Sequence, residues 1–128
     1  MTSLYVDGEL LVVGYLEGVF PAARVATELP ANLADVLLPA IWVQRFGGGS
    51  TGRSLDAPSF DVDCFAADRV TANSFASQVR TALAGMAGYT AYQATVSDVS
   101  VSSFGWRPYA NIGVRRTGMT CSITLHNH

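Results

Sequence analysis

The sequence predicts an α+β domain, with a mostly antiparallel four-stranded sheet packed against two helices and one long hairpin loop. Three observations carry that expectation. Met119, Cys121, Ile123 and Leu125 alternate without a fault with Thr120, Ser122 and Thr124, the two-residue period of a strand with one buried face. Ala72, Phe75, Ala76, Val79, Leu83 and Met86 recur at the spacing of one helix face. The patterned segments follow one another as helix, strand, strand, helix, strand, strand. The 128 residues suit a single domain, 1–128, with one core.

Asp7 stands where it can cap a first helix through about Phe20. Leu11, Tyr15, Leu16 and Val19 share its spacing, Glu9 and Glu17 lie elsewhere on the cylinder, and Pro21 stops it. Residues 24–27 form a short extended piece. Leu29-Pro30 and Leu38-Pro39 bracket a compact turn or short helix over 32–37, since a residue before proline avoids helical dihedrals. Residues 41–46, rich in β-branched and aromatic side chains, make the first strand. Residues 47–59, with four glycines and Pro58, make the long loop. In the second strand, 60–65, Phe60, Val62 and Cys64 face one way and Asp61, Asp63 and Phe65 the other. Asp68 caps the second helix, and Gly88 ends it. The third strand, 95–104, turns through Gly105-Trp106-Arg107-Pro108-Tyr109 into the fourth. Asp61, Asp63, Thr120, Ser122 and Thr124 then share the face away from the helices.

Charge is scarce. Only 14% of residues are charged and 49% are hydrophobic, against roughly 25% charged in ordinary soluble chains. A small domain has much surface to cover, so this composition points to a surface shared with other subunits. A surface of Ser, Thr, Ala and Gly would be the plain alternative. The net charge of −2 gives no support for a nucleic-acid-binding surface. All eight basic residues are arginine, the cation favoured at protein interfaces. Cys64 and Cys121 have neither a CxxC partner nor zinc spacing, and they read as buried free thiols. The opening residues lack the pattern of a signal peptide, and no run approaches the ~20 apolar residues of a membrane span. A soluble protein made in a cytoplasm is expected.

The sequence offers little chemistry. Gly47-Gly48-Gly49-Ser50-Thr51-Gly52-Arg53-Ser54 matches the nucleotide-binding P-loop pattern except that Arg53 replaces its lysine. A P-loop must open into a helix, whereas Pro58 here leads into a strand. Arginine is also too bulky and planar to copy that lysine. Asp61 and Asp63 lie about 7 Å apart on one strand face, yet no histidine or third acid is placed beside them. His126 and His128 close the sequence given. There is no Ser-centred elbow and no internal histidine for a triad. No cofactor, metal site or catalytic residue is expected. Trp106, Arg107 and Tyr109, with Arg115 and Arg116 beyond them, are the residue types that dominate protein–protein contacts, unless Trp106 merely plugs the core. Gly48, Gly49, Arg53, Asp61 and Asp63 complete the set of candidate interface residues.

Four runs taken in order carry a family likeness. They are Leu38-Pro39-Ala40-Ile41-Trp42-Val43-Gln44-Arg45-Phe46-Gly47-Gly48, then Asp56-Ala57-Pro58-Ser59-Phe60-Asp61-Val62-Asp63-Cys64-Phe65-Ala66, then the helix over 72–86, then Asn111-Ile112-Gly113-Val114-Arg115-Arg116 before an alternating strand. The chain resembles the tail terminator proteins of long-tailed bacteriophages of the siphophage type, over nearly its whole length. That resemblance implies a non-enzymatic virion protein forming a homo-oligomeric ring, typically a hexamer. Such a ring docks on the last ring of the tail tube protein, stops tube growth, and seats the head–tail connector or stopper protein. DNA passes through its lumen without specific contact, no membrane is involved, and the protein sits at the head–tail junction after assembly in the host cytoplasm. A head–tail joining or tail-completion protein of similar size is the nearer alternative. A small α+β enzyme using the glycine loop on a phosphate-bearing ligand is the distant one.

Overall fold

The computed structural model describes residues 8–28, 39–51, 55–92, 94–107 and 115–127. Its elements, in chain order, are α1 (Gly8–Val19), β1 (Arg24–Ala26), β2 (Ala40–Thr51), β3 (Leu55–Ala66), α2 (Arg69–Ala84), β4 (Thr90–Ala91), β5 (Ala94–Arg107) and β6 (Arg115–Asn127). The cap expected at Asp7 and the bracketed segment 32–37 lie outside the described residues, as do Arg53 and Tyr109.

The four-stranded expectation is overturned. Among the described residues the sheet has six strands in the order β1-β2-β3-β6-β5-β4 and curls into a half-barrel over two helices. The extra strands are the outermost. β1 has three residues and runs parallel to β2, pairing Arg24 with Ala40 and Ala26 with Trp42. β4 has two residues and pairs antiparallel with the start of β5. The extended piece expected over residues 24–27 is β1, but neither strand is long enough for an alternation to show that it joins the sheet.

The long hairpin loop is also corrected. β2 and β3 are twelve residues each and remain paired from Gly47 opposite Ser59 to Thr51 opposite Leu55. The register shifts between Arg45 and Gly47, a bulge of the kind glycine often marks within a strand. The glycine run is thus ladder, and only residues 52–54 are left between the strands. Gly105, Trp106 and Arg107 are likewise strand rather than turn, opposite Gly118, Thr117 and Arg116. β5 shifts register between Val96 and Asp98 and again between Ser102 and Gly105, and the latter shift lets the strand continue past the glycine.

One face of the sheet carries the core. Ile41 and Val43, Phe60, Val62 and Cys64, and Met119, Cys121, Ile123 and Leu125 are all buried beneath Leu11, Val12 and Leu16 of α1 and Ala72, Ala76, Val79 and Leu83 of α2. Helix α2 opens as expected, since Asp68 accepts the Thr71 amide hydrogen at 2.8 Å. It closes at Gly85, three residues before Gly88, and Met86 is buried just beyond the helix. Gly88 instead supplies the positive φ of 94° that turns the chain toward β4. Tyr15 joins the helices. Its hydroxyl donates to the Ala82 carbonyl at 2.7 Å, and its ring meets Tyr89 edge-on at 4.9 Å. Val19, by contrast, is exposed, and Val12 takes the core position.

Candidate functional site

The outer face of the sheet is built by residues out of phase with the core. Gln44, Asp61, Thr120 and Ser102 form one row across β2, β3, β6 and β5, and Ser59, Ser122 and Ser100 belong to the next. The hydroxyls of Ser59 and Ser122 lie 2.9 Å apart. Asp61 is half-buried, but Asp63 is only 4% exposed and faces the Arg116 guanidinium at 3.9 Å. Phe65, next on this face, is fully buried. The upper face is therefore hydroxyl-rich with one acid, and its lower end is closed by an ion pair and an aromatic ring. The two aspartates do not form a joint acidic strip.

The other described candidates fall into two separate groups. Gly48 and Gly49 lie in the upper half of β2, opposite Pro58 and Ala57. Trp106 and Arg107 end β5 at the bottom of the sheet, where β6 begins with Arg115 and Arg116. Arg107, Arg116 and Phe65 share one row, and Arg115 pairs with Ala66 one row further on.

Sequence reasoning missed a constellation at the β2 edge. Asp56, 3% exposed, receives both arms of Arg45 at 3.2 Å. The amide of Arg45 donates to the Glu9 carboxylate at 2.8 Å, tying α1 to a strand edge. The indole of Trp42 donates to the Thr27 carbonyl at 2.9 Å. Glu9, Thr27, Glu28, Trp42, Gln44 and Arg45 together line an open cleft of about 550 Å³. A signal was present. Asp56 falls in phase with Pro58 and Phe60, and an acid at a core-phase position demands a cation. On the opposite edge the Arg80 guanidinium stands 5.4 Å from the centre of the Phe104 ring.

Nucleophilic and metal chemistry find no footing in these positions. Both cysteines are free and buried. Burial pushes the Cys121 thiol up to about 12, and Cys64 is raised by burial and by the charge of Asp63. Both stay protonated and unreactive near neutral pH. Among the described residues no group of three His, Cys, Asp or Glu could hold a metal ion. The P-loop pattern is contradicted locally, because its first five residues are an extended strand paired to β3 rather than the approach to a helix. Among the described residues no helix is long and apolar enough to cross a membrane.

No family model matches the sequence, and no curated protein does. Solved structures do match, 21 chains in all. One belongs to the virion of a native gene transfer agent particle. It aligns over 98% of this chain and 100% of its own with a TM-score of 0.70, at 19% identity. At that identity the likeness is one of fold.

Proposed function

We propose that this chain is a structural virion protein, without catalytic activity, that works as the tail terminator of a phage or phage-like particle. The observation that carries the reading is the end-to-end fold likeness to a virion component, which leaves almost nothing of either chain over. The sequence resemblance points the same way independently, and the 14% charge suits a subunit covered by neighbours.

In this reading the chain forms a closed ring, a hexamer, on the last ring of the tail tube. It ends tube polymerisation and seats the head–tail connector, so the mature protein sits in the virion at the head–tail junction. DNA crosses the lumen without specific contact. The face with Asp61, Ser100, Ser102, Thr120 and Ser122 suits a lumen wall, since it carries hydroxyls and an acid that would not hold phosphates. Asp63 drops out of that wall because Arg116 neutralises it. A particle lacking this gene should accumulate overlong or headless tails while heads still package DNA. Electron microscopy checks this, and normal tails attached to heads would end the proposal. Headless tails of correct length would transfer the chain to the head–tail joining class.

A further inference from the structure

We infer that the two edges of the sheet are the two halves of the subunit seam, the β1–β2 edge of one copy meeting the β5–β4 edge of the next, so that the sheet continues from subunit to subunit. The inference rests on the ring reading and names the surfaces that close the ring.

Each edge is only partly covered. β1 pairs with β2 at Ala40, Ile41 and Trp42, and among the described residues no strand pairs with the outer edge of β2, away from β3, over residues 46–51. β4 pairs with Ala94 and Thr95, and Val96 exchanges hydrogen bonds with Gly88 and Tyr89. Among the described residues no strand pairs with the outer edge of β5, away from β6, over residues 97–107. Long uncovered edges invite pairing with another chain, and proteins that stay apart guard them with charge or proline. The stretch 46–51 has neither, and its Phe46 is 58% exposed. The β5 stretch presents Phe104, 37% exposed.

The two edges are stepped in opposite senses. Register links Thr51, Leu55, His126 and Thr95 in a top row, and Ala40, Phe65, Arg116 and Arg107 in a bottom row. β1 protrudes at the bottom of its edge, and β4 protrudes at the top of the other. Each edge is therefore recessed where the other stands out. Successive antiparallel pairings from β2 through β3 and β6 leave β5 running opposite to β2. A rotation about an axis along the strands brings the two together antiparallel. Such head-to-tail contacts between different patches are what a ring requires.

Charge agrees with shape. Glu28, exposed, follows β1 and lines the cleft beside Trp42. Arg80, also exposed, covers Phe104, which immediately precedes Gly105. Gly105 and Trp42 occupy one row, with Gly118 and Asp63 between them. An acid thus lies toward the lower part of one edge and a cation toward the lower part of the other, charges of opposite sign for the seam to bring together.

Reversing either charge tests this in the full chain. Glu28→Arg alone and Arg80→Glu alone should each raise the concentration for half-assembly by about tenfold or more, since like charges then face each other. The double variant should recover most of the loss. Sedimentation velocity reads the assembly, and unchanged thermal unfolding would show that neither exposed substitution harms the fold. A second measurement uses Glu28→Cys with Arg80→Cys, applied to assembled particles where the isolated protein stays monomeric. The two sites lie at opposite edges of one subunit, so oxidation should give a ladder of linked copies, and the buried Cys64 and Cys121 should not contribute. Rings that assemble normally with both single reversals, and give no ladder, would overturn the seam but leave the ring reading standing. Absence of any closed oligomer from wild-type protein and particles would remove both.

Discussion

Asp56 stands among core positions with almost no water, and Arg45 is what makes that tolerable. Two parallel hydrogen bonds of 3.2 Å join them, while the Arg45 side chain remains one-third exposed. Solvent screening weakens the attraction itself. The larger stake is the carboxylate left behind when the cation is removed, since an uncompensated buried charge is strongly destabilising. Arg45→Ala should therefore cost about 2–3 kcal/mol, below the usual figure for a fully buried pair, and should lower the urea midpoint accordingly. A companion variant with Arg45→Met and Asp56→Leu should recover most of that loss, because it removes the charge as well as its partner. A change below about 0.5 kcal/mol for Arg45→Ala, the range of an ordinary surface substitution, would mean that the pair contributes little. The Asp63–Arg116 contact, at 3.9 Å, is the looser of the two.

The start and the buried face of helix α2 are legible because their signals are local, whereas its end falls three residues before the expected Gly88. Its stripe of apolar residues and its Asp68 cap depend only on the helix and the residues that flank it. The cap also yields a test. Hydrogen bonds from the Thr71 amide and hydroxyl to the exposed carboxylate hold Asp68 below its usual range. A depressed acid contributes stability above its unfolded value of about 3.9, and that contribution is lost as pH falls through the folded value. Asp68→Ala should lower the melting temperature at pH 7 by a few degrees, and the gap to wild type should shrink between about pH 5 and pH 2. A gap that stays constant over that range would show that the ionised carboxylate is not what caps the helix. β6 was equally legible, through its alternation from Met119 to Leu125. The sheet's outer parts were not. β1 and β4 exist only because β2 and β5 offer them an edge, and so their pairing is written in distant residues. The glycines of β2 argue against a strand, yet the partner ladder from Leu55 to Ser59 overrides them. The Arg45–Asp56 pair is obscured for the same reason, since the glycine run makes the segment holding Asp56 look like loop.

The two ends of the molecule bear differently on assembly. Core and helices account for folding of the subunit, whereas the rim of the sheet has composition and shape suited to a neighbour. Trp106 and Arg107 lie on that rim, as the last two residues of β5, opposite Thr117 and Arg116. Trp and Arg are the residues that most often dominate interfaces, and the pair sits where β1 of the next copy would abut. Replacing both with Ala should therefore cost ring formation far more than folding. The unfolding midpoint of the isolated chain should stay close to wild type, while the closed oligomer is lost at concentrations where wild type assembles. A particle carrying the change should show overlong or headless tails with normal DNA packaging, the outcome expected of the deletion, even though the subunit still folds. The contrary outcome is equally definite. If unfolding shifts in step with assembly, Trp106 is a plug for the lower end of the core, and the rim at that height does not make the seam.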